Sequence, residues 1–319
     1  MAKTGILFIG GCGFIGSNLV NRFLLGNYDI HIFETPQAPI DRIKDNIDKV
    51  NLYRGQLEDT LFIKSIIEQN NIKKIVHLVS CLLPNSSIED YQEEISNVIK
   101  PTIDIIHLCA EQNIEFVYFS SGGTIYGNTG DIFHSETDLV APISYYGLSK
   151  CHLENVIKIE NRRNNLSYLI LRPSNPYGHG QRINAKQGLI AVSIGKVLRN
   201  EPIEIFGDGT NVRDYIYIDD LCESVFQLID KNIVNETFNI GSGRGYTNTE
   251  VVSIINKISG DKCQIINRQV RSGDVKSVIL NQEKLKRYIQ VKNRDLEEGV
   301  NKFYKEELQA YNINNQIGR

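Results

Sequence analysis

Tyr146 and Lys150 are the residues whose chemistry stands out first, because they lie four positions apart in a stretch with helical spacing. In a helix, residues at that spacing share one face, so both side chains can enter one site. A phenol with its ordinary pKa of about 10 is a poor base at neutral pH, but a neighbouring ammonium stabilises its phenolate. The pair therefore indicates proton transfer to or from a hydroxyl group. The same spacing also arises by chance in a surface Tyr beside a surface Lys.

Three glycines, Gly10, Gly13 and Gly16, form the pattern G-x-x-G-x-x-G between a short apolar run and a helical pattern. Glycines there allow a tight turn, let a pyrophosphate approach the backbone and seat a helix against a sheet. The N-terminus of that helix would face the phosphates with unpaired N–H groups and a positive dipole end. A strand-to-helix turn also needs glycine for purely structural reasons, so the pattern gains weight from its context.

Glu34 supplies that context, since it ends the second apolar run after the glycines. A carboxylate there can accept hydrogen bonds from the adenosine ribose hydroxyls of a bound dinucleotide. A 2′-phosphate would meet its negative charge, and no Arg stands directly beside it in the sequence. The sequence therefore favours NAD over NADP, the alternative being a solvated carboxylate at a strand end.

The elements that must position these residues alternate between strand and helix. Helical spacing predicts helices over residues 14–25 and from Ser144 to about Asn161. Short apolar runs predict strands at about residues 5–10, 29–33, 52–54, 75–79, 116–120 and 168–171. Runs that are apolar on both faces indicate a parallel sheet covered by helices on both sides. The predicted fold class is α/β, a Rossmann-type doubly wound parallel sheet with a smaller α/β C-terminal substrate lobe.

The chain of 319 residues is longer than one ordinary hydrophobic core usually serves. Pro173 and Pro176 interrupt the regular pattern, and shorter elements separated by glycine-bearing turns follow them. We expect an NAD-binding Rossmann domain over residues 1–175 and a mainly substrate-binding lobe over residues 176–319. Some segments, at about 210–245, are expected to return to the Rossmann domain.

Composition excludes several classes of partner. A formal net charge of −3 lacks the positive excess that drives binding to nucleic acid. Six cysteines without a CxxC pattern predict free thiols in a reducing cytoplasm and no metal site. No apolar run approaches the roughly 20 residues that a membrane span requires. We therefore expect a cytoplasmic protein with neither a nucleic-acid nor a membrane partner.

Sequence segments in a characteristic order now carry a family resemblance over about residues 5 to 300. These segments are GGCGFIGSNL, FSSGGTIYG, YYGLSK, LRPSNPYGHGQ, GDGTNVRDYIYIDDL, NIGSG and RSGD. The chain resembles the extended short-chain dehydrogenase/reductase family and, within it, the UDP-glucose 4-epimerase-like enzymes. The resemblance implies NAD-dependent 4-epimerisation of a nucleotide sugar, a UDP-hexose or UDP-N-acetylhexosamine, through a transient 4-keto sugar. An NAD(P)H-dependent reductase of nucleotide 4-keto-6-deoxy sugars and a non-catalytic NAD-binding sensor are the alternatives.

By that resemblance Tyr146 transfers the proton, and Lys150 lowers its pKa and binds the nicotinamide ribose. Many epimerases place Ser or Thr where this chain has Gly122. We expect Ser121 to supply that hydroxyl, with Thr124 as a weaker candidate. Dehydration is disfavoured, because dehydratase relatives carry an Asp-Glu pair after their hydroxyl to assist water loss, and Gly122-Gly123 cannot do that chemistry.

The resemblance also implies a set of cofactor contacts. They comprise the glycine turn and four residues beyond it: Gly10, Gly13, Phe14, Ile15, Gly16, Glu34, Gln56, Leu57 and Asn97. Gln56 stands where the family usually has an Asp that contacts the adenine amino group, and its amide oxygen could substitute. Asn97, in a predicted long helix, matches a family Asn near the cofactor, although a surface polar residue is the alternative.

For the nucleotide sugar, the resemblance assigns Asn175 and Gln187 to the phosphates, and Arg213, Arg271 and Asp274 to the diphosphate and the nucleoside ribose. A guanidinium suits this task because it binds phosphate oxygens in a fork, although either Arg could instead pair with a neighbouring Asp. Val278 stands where some epimerases have a Tyr that crowds the sugar C2 substituent, so we expect N-acetylhexosamine to be accepted. The resemblance further implies a homodimer formed through two long helices per subunit, and surface polysaccharide biosynthesis as the pathway.

Overall fold

The computed structural model describes residues 3–185, 187–261, 263–269 and 275–317. In the first half of the chain the strands and helices are β1 Thr4–Ile9, α1 Phe14–Phe23, β2 Tyr28–Glu34, β3 Asn51–Arg54, α2 Thr60–Gln69, β4 Ile72–His77, α3 Ile88–Glu94, α4 Lys100–Gln112, β5 Glu115–Phe119, β6 Phe133–His134 and α5 Tyr145–Asn164. In the second half they are β7 Tyr168–Pro173, β8 Asn175–Tyr177, α6 Leu189–Leu198, β9 Ile203–Phe206, β10 Val212–Tyr217, α7 Ile218–Asp230, β11 Glu236–Ile240, β12 Gly245–Thr247, α8 Asn248–Ile258, β13 Ile265–Arg268, β14 Ser277–Leu280, α9 Glu283–Tyr288 and α10 Leu296–Ile317.

The central sheet has seven strands in the order β11-β7-β5-β4-β1-β2-β3. Every pairing in it is parallel. Successive residues of β1 enter two different cores, with Ile6 and Phe8 in one and Leu7 and Ile9 in the other. The sheet is therefore covered on both faces, which confirms the predicted doubly wound α/β fold.

A smaller group of strands lies after β7 in the chain, apart from β6, which precedes it. A five-stranded sheet contains β12, β10, β14 and β6 in that order, with β8 paired to β10, and a two-stranded sheet joins β13 to β9. In the segment expected to return to the Rossmann domain, β11 pairs with β7, whereas β10 and β12 belong to the five-stranded sheet. Helix α7 packs on α1 through Phe226, whose ring meets that of Phe23. The division of the chain at residue 175 stays a prediction.

Helix boundaries differ from the expected ones where local chemistry intervenes. Helix α5 runs three residues beyond Asn161, to Asn164, and ends where Asn165 adopts a left-handed φ of 56°. The helix expected around Asn97 is interrupted by a π-helical turn, Ile95–Ile99, between α3 and α4. Among the helices that the structure describes, none combines the length and apolar character needed to cross a membrane.

Candidate active site

The chain changes direction in the central sheet between β1 and β4. From β1 it continues to β2 and β3 on one side, and then crosses to β4, β5 and β7 on the other. In open parallel sheets, ligands bind beyond the carboxyl ends of the strands at such a reversal. The glycine turn follows β1, and the loop that begins with Ser120 and Ser121 follows β5, so both reach this edge of the sheet.

The glycine turn is shaped by steric limits on its backbone. Gly10 has a φ of 86°, in the left-handed region that favours glycine. A Cβ on Gly16 would lie 2.5 Å from the Gly10 carbonyl oxygen, so α1 can pack closely only with glycine there. A Cβ on Gly13 would meet that oxygen at 3.4 Å and, apart from its chain neighbours, no other described heavy atom within 4 Å. The turn thus leaves its Gly13 side open beside the N-terminus of α1, as a pyrophosphate requires.

Glu34 lies at the end of β2 and joins the turn to the next strand. Its Oε2 accepts a hydrogen bond from the Cys12 N–H at 3.1 Å, and its Oε1 accepts one from the Thr35 N–H at 3.1 Å. Each carboxylate oxygen retains a further lone pair, so ribose hydroxyls can still be accepted. Arg54 is opposite Glu34 in the sheet register, but its guanidinium donates to the carbonyls of Thr35 and Ala38. The residues present at this edge fit NAD.

The remaining residues expected at the cofactor have diverse environments. Phe14 and Ile15 are half-buried in the first turn of α1, and Leu57 is buried. Gln56 has an exposed side chain just beyond β3, and Asn97 is exposed on the π-helical turn. Their contacts with a cofactor stay predictions.

Lys150 lies almost fully buried near the start of α5. Its Nζ donates a hydrogen bond of 3.0 Å to the Phe119 carbonyl at the end of β5. The same nitrogen lies 5.6 Å from the centroid of the Tyr146 ring and 5.3 Å from that of Tyr118. Burial lowers the pKa of Lys150 to about 8, although the Glu94 carboxylate opposes the shift. The pKa of Lys150 therefore remains above neutral pH, and the ammonium is the main form at pH 7.

Tyr146 and Ser121 come together beside Lys150. Burial raises the pKa of the Tyr146 phenol, a hydrogen bond with the Ser121 side chain lowers it, and Glu94 raises it further. Thr124 follows in the same loop, and its Oγ1 is buried without a hydrogen-bond partner among the described residues. The structure thus brings together the four residues expected to be catalytic, while their roles stay predictions.

Two buried ionic side chains support this arrangement. Arg172 on β7 binds Glu154 on α5 in a fork, with Nε to Oε1 at 2.9 Å and Nη2 to Oε2 at 2.6 Å. Burial raises the pKa of Glu154, but the hydrogen bonds and charge of Arg172 outweigh it, so the net pKa is lowered. Because Glu154 is on the same helix as Tyr146 and Lys150, the pair fixes that helix against the sheet. Sequence reasoning missed it, although the spacing of 146, 150 and 154 was the available signal.

A cavity of about 640 Å³ adjoins the loop after β5. Its lining comes from segments far apart in the chain: Leu83, Pro84, Asn85, Gly123, Thr124, Ser144, Asn175, Pro176, Tyr177, Gln181, Gln187, Gly188, Leu189, Ile190, Arg213, Tyr215, Asn248 and Val275. Four of these were expected at the substrate or in catalysis: Thr124, Asn175, Gln187 and Arg213. Because Gly123 and Thr124 line the cavity, the loop that holds Ser121 also borders this space.

The expected substrate residues are held differently. Asn175 donates from Nδ2 to the Asp214 carbonyl at 2.8 Å, and Arg213 donates from Nη1 to the Val212 carbonyl at 3.0 Å. Val278 is 1% exposed in a small apolar cluster, and the described lining of the cavity contains Val275 and not Val278. Arg271 and Asp274 lie outside the described residues.

The fold and this site define an α/β protein with a dinucleotide-type glycine turn and a Tyr–Lys pair at the same edge of the central sheet. Residues 6–241 match the model of the NAD dependent epimerase/dehydratase family. The chain belongs to that family, which confirms the expected membership in the extended short-chain dehydrogenase/reductases and NAD as the cofactor.

Relatives and solved structures extend the comparison. The chain is 32% identical over 302 residues to a putative UDP-glucose 4-epimerase of Methanocaldococcus jannaschii, covering 92% of this chain and 95% of the relative. It is 33% identical over 258 residues to a dTDP-4-dehydro-6-deoxyglucose reductase of Escherichia coli, covering 79% of this chain and 81% of the relative. The crystal structure of UDP-glucose 4-epimerase with UDP-glucose from Thermotoga maritima superimposes with a TM-score of 0.89 at 27% identity, covering 96% of this chain and 99% of that one.

Proposed function

We propose that the protein is an NAD-dependent 4-epimerase of a nucleotide sugar, a UDP-hexose or a UDP-N-acetylhexosamine. The observation that carries the proposal is the loop after β5, which contacts Tyr146 through Ser121 and lines the cavity through Thr124. We infer that a sugar held against Gly123 and Thr124 lies next to Ser121 and Tyr146 at this edge of the sheet. The similarity to UDP-glucose 4-epimerases supports the same reaction.

In the proposed reaction, Tyr146 in its phenolate form accepts the proton of the sugar 4-hydroxyl and later returns it. Ser121 orients that hydroxyl by a hydrogen bond, and the Lys150 ammonium favours the phenolate. NAD, when bound at the glycine turn, supplies the reversible oxidation of carbon 4 of the sugar. The 4-keto sugar then rotates in the cavity so that it presents its opposite face, before Tyr146 returns the proton.

Polar groups in the cavity suit a nucleotide diphosphate and a sugar. We assign the phosphates to Asn175 and Gln187, and the diphosphate with the nucleoside ribose to Arg213, Arg271 and Asp274, as the resemblance implies. The unpartnered Oγ1 of Thr124 is available to a sugar hydroxyl. Val278 keeps its proposed part in tolerance of an N-acetyl group, and comparing turnover of UDP-N-acetylglucosamine with that of UDP-glucose tests it.

The replacement Tyr146→Phe tests the mechanism. We expect kcat to fall about 10²- to 10⁴-fold, the usual contribution of a positioned acid–base group, with nucleotide-sugar binding retained. Tyr145→Phe is the matched control, because Tyr145 is on the same helix turn but exposed and stacked on Tyr91. Equal turnover in the wild type and Tyr146→Phe would remove the mechanism.

Reduction of a nucleotide 4-keto-6-deoxy sugar is the second candidate, because the E. coli reductase is 33% identical to this chain. The two reactions differ in their need for reduced cofactor. An epimerase interconverts UDP-sugars without net change in NAD, whereas a reductase consumes one NAD(P)H per turnover. Chromatography of UDP-, dTDP-, GDP- and CDP-sugars, with and without added NADH or NADPH, separates them.

We also propose a homodimer formed through α4 and α5. Leu148 and Ile159 on α5 have exposed apolar side chains, which suit a helix-to-helix interface. Sedimentation equilibrium tests this, and a mass equal to one chain across the concentration range would contradict it.

A further inference from the structure

Glu94 is a buried carboxylate for which the proposed mechanism gives no role. It is the last residue of α3 and only 1% exposed. Three groups donate hydrogen bonds to it: Ser80 Oγ to Oε1 at 3.0 Å, the Cys81 N–H to Oε2 at 2.8 Å and Ser149 Oγ to Oε1 at 3.2 Å. These three donors satisfy both carboxylate oxygens and offset the cost of burying them.

The donors of Glu94 belong to the two sides of the active site. Ser80 and Cys81 follow β4, next to the strand that carries the glycine turn. Ser149 immediately precedes Lys150 on α5. A π-helical turn begins directly after Glu94, and such turns are frequent at functional sites. The carboxylate thereby ties the sheet edge to the helix that bears Tyr146 and Lys150.

A second buried carboxylate of this region, Glu154, shows what is unusual about Glu94. Glu154 is neutralised by the guanidinium of Arg172, which binds both of its oxygens. The described hydrogen bonds of Glu94 come from neutral donors, two hydroxyl groups and one backbone N–H. Its negative charge therefore acts on the neighbouring ionisable groups of the active site.

The other ionisable groups around Lys150 are neutral, so Glu94 is the described group that can act on it as an anion. His77, from β4, is fully buried and burial lowers its pKa to about 3, so it is neutral at pH 7. Burial raises the pKa of Tyr118, from β5, and that of Tyr146, on α5, so both phenols are neutral as well. Burial lowers the pKa of Lys150, and the charge of Glu94 opposes this shift by favouring the ammonium.

We propose that Glu94 is a positioning residue of the active site, which keeps the Lys150 side chain in its ammonium form and anchors its helix. The proposal deepens the proposed function, since it rests on Lys150 acting as a cation beside Tyr146. It also explains how an almost fully buried lysine without a carboxylate in direct contact can stay charged at neutral pH. Any change of charge at Glu94 should therefore shift the titration of Lys150.

The direct test is an NMR titration of the lysine side-chain carbons in carbon-labelled protein, with Lys150→Arg to assign the signal. We expect the Lys150 midpoint near 8 in the wild type. Removing this opposite charge in Glu94→Gln should lower the Lys150 midpoint by about one pH unit. In Glu94→Asp the charge remains but lies one carbon further away, so the midpoint falls by less. Glu93→Gln is the control, because Glu93 is exposed on the same helix and should leave the midpoint unchanged.

Turnover against pH gives a second readout. Loss of the Glu94 charge lowers the pKa of both Lys150 and Tyr146, so the whole bell-shaped profile of Glu94→Gln moves to lower pH. A purely structural role would lower the rate without moving the profile. A Lys150 midpoint that is the same in wild type, Glu94→Asp and Glu94→Gln overturns the proposal. The midpoint needs no substrate, so a failure of the epimerase assignment is seen separately, as wild-type protein that turns over no nucleotide sugar.

Discussion

The glycine turn and the cavity, the two regions that we propose bind ligands, are built on different physical principles. The turn is a consecutive stretch whose shape follows from backbone sterics, since a single Cβ at Gly16 would lie 2.5 Å from another backbone atom. The cavity is assembled from side chains as distant in sequence as Leu83 and Val275. The first region therefore depends on the absence of side chains, and the second on which side chains are present. A short sequence motif accordingly predicts a dinucleotide site, whereas no short motif predicts which sugar the cavity would select.

Glycine replacements give the largest expected effect and test whether backbone sterics govern the turn. Gly16→Ala should lower the free energy of unfolding by about 3 kcal/mol, because its Cβ meets only backbone atoms that cannot move aside, and should abolish NAD binding. Gly13→Ala should fold normally, because its Cβ finds room, yet bind NAD weakly, because that room faces the phosphates. Thermal unfolding and NAD calorimetry measure both. Normal NAD affinity in Gly13→Ala would place the pyrophosphate elsewhere.

Arg213→Ala addresses the cavity and should have an intermediate effect. Loss of a charge-assisted contact to phosphate should raise KM for the nucleotide sugar about 10- to 100-fold, with NAD affinity unchanged. Arg268→Ala serves as the comparison, since Arg268 is an exposed arginine paired with Glu204 on the two-stranded sheet. If both variants kept the wild-type KM, Arg213 would have no part in binding the diphosphate.

Glu34→Gln should have the smallest effect. It tests how much one side chain contributes to cofactor affinity at the glycine turn. The amide keeps the shape but weakens acceptance of ribose hydroxyls and of the Cys12 N–H, so the Kd for NAD should rise about tenfold. Affinity for NADP should rise relative to NAD, because a negative charge next to the 2′-phosphate is removed. Fluorescence titration with both dinucleotides measures the ratio, and an unchanged ratio would mean that another group selects the cofactor.

The fold and the cofactor edge were predictable because they depend on patterns within short windows. Apolar runs and glycines located β1, β2 and α1 to within two residues. The spacing of Tyr146 and Lys150 likewise predicted a shared helical face, and the structure has both on α5.

What escaped prediction depends on contacts between distant segments. Glu94 was missed because its environment arises from Ser80 and Ser149, which are far apart in sequence. In the sequence, Arg172 is a single charge in an apolar strand, and its pairing with Glu154 becomes apparent only in the folded structure. Asn97 was expected on a regular helix, and the π-helical turn that exposes it has no simple signature in the residues. Val278 was assigned by alignment with a motif, whereas its burial depends on how β14 packs.

The seventh strand of the central sheet has a consequence for how the protein is made. Strand β11 pairs with β7, and Phe238 within it is fully buried, yet β11 follows most of the segments that line the cavity. During synthesis, the edge of β7 stays open until residue 240 has left the ribosome. An open parallel edge can pair with other nascent chains, so the growing polypeptide needs shielding between the synthesis of β7 and that of β11. The central sheet is thus completed only after about three quarters of the chain has been synthesised.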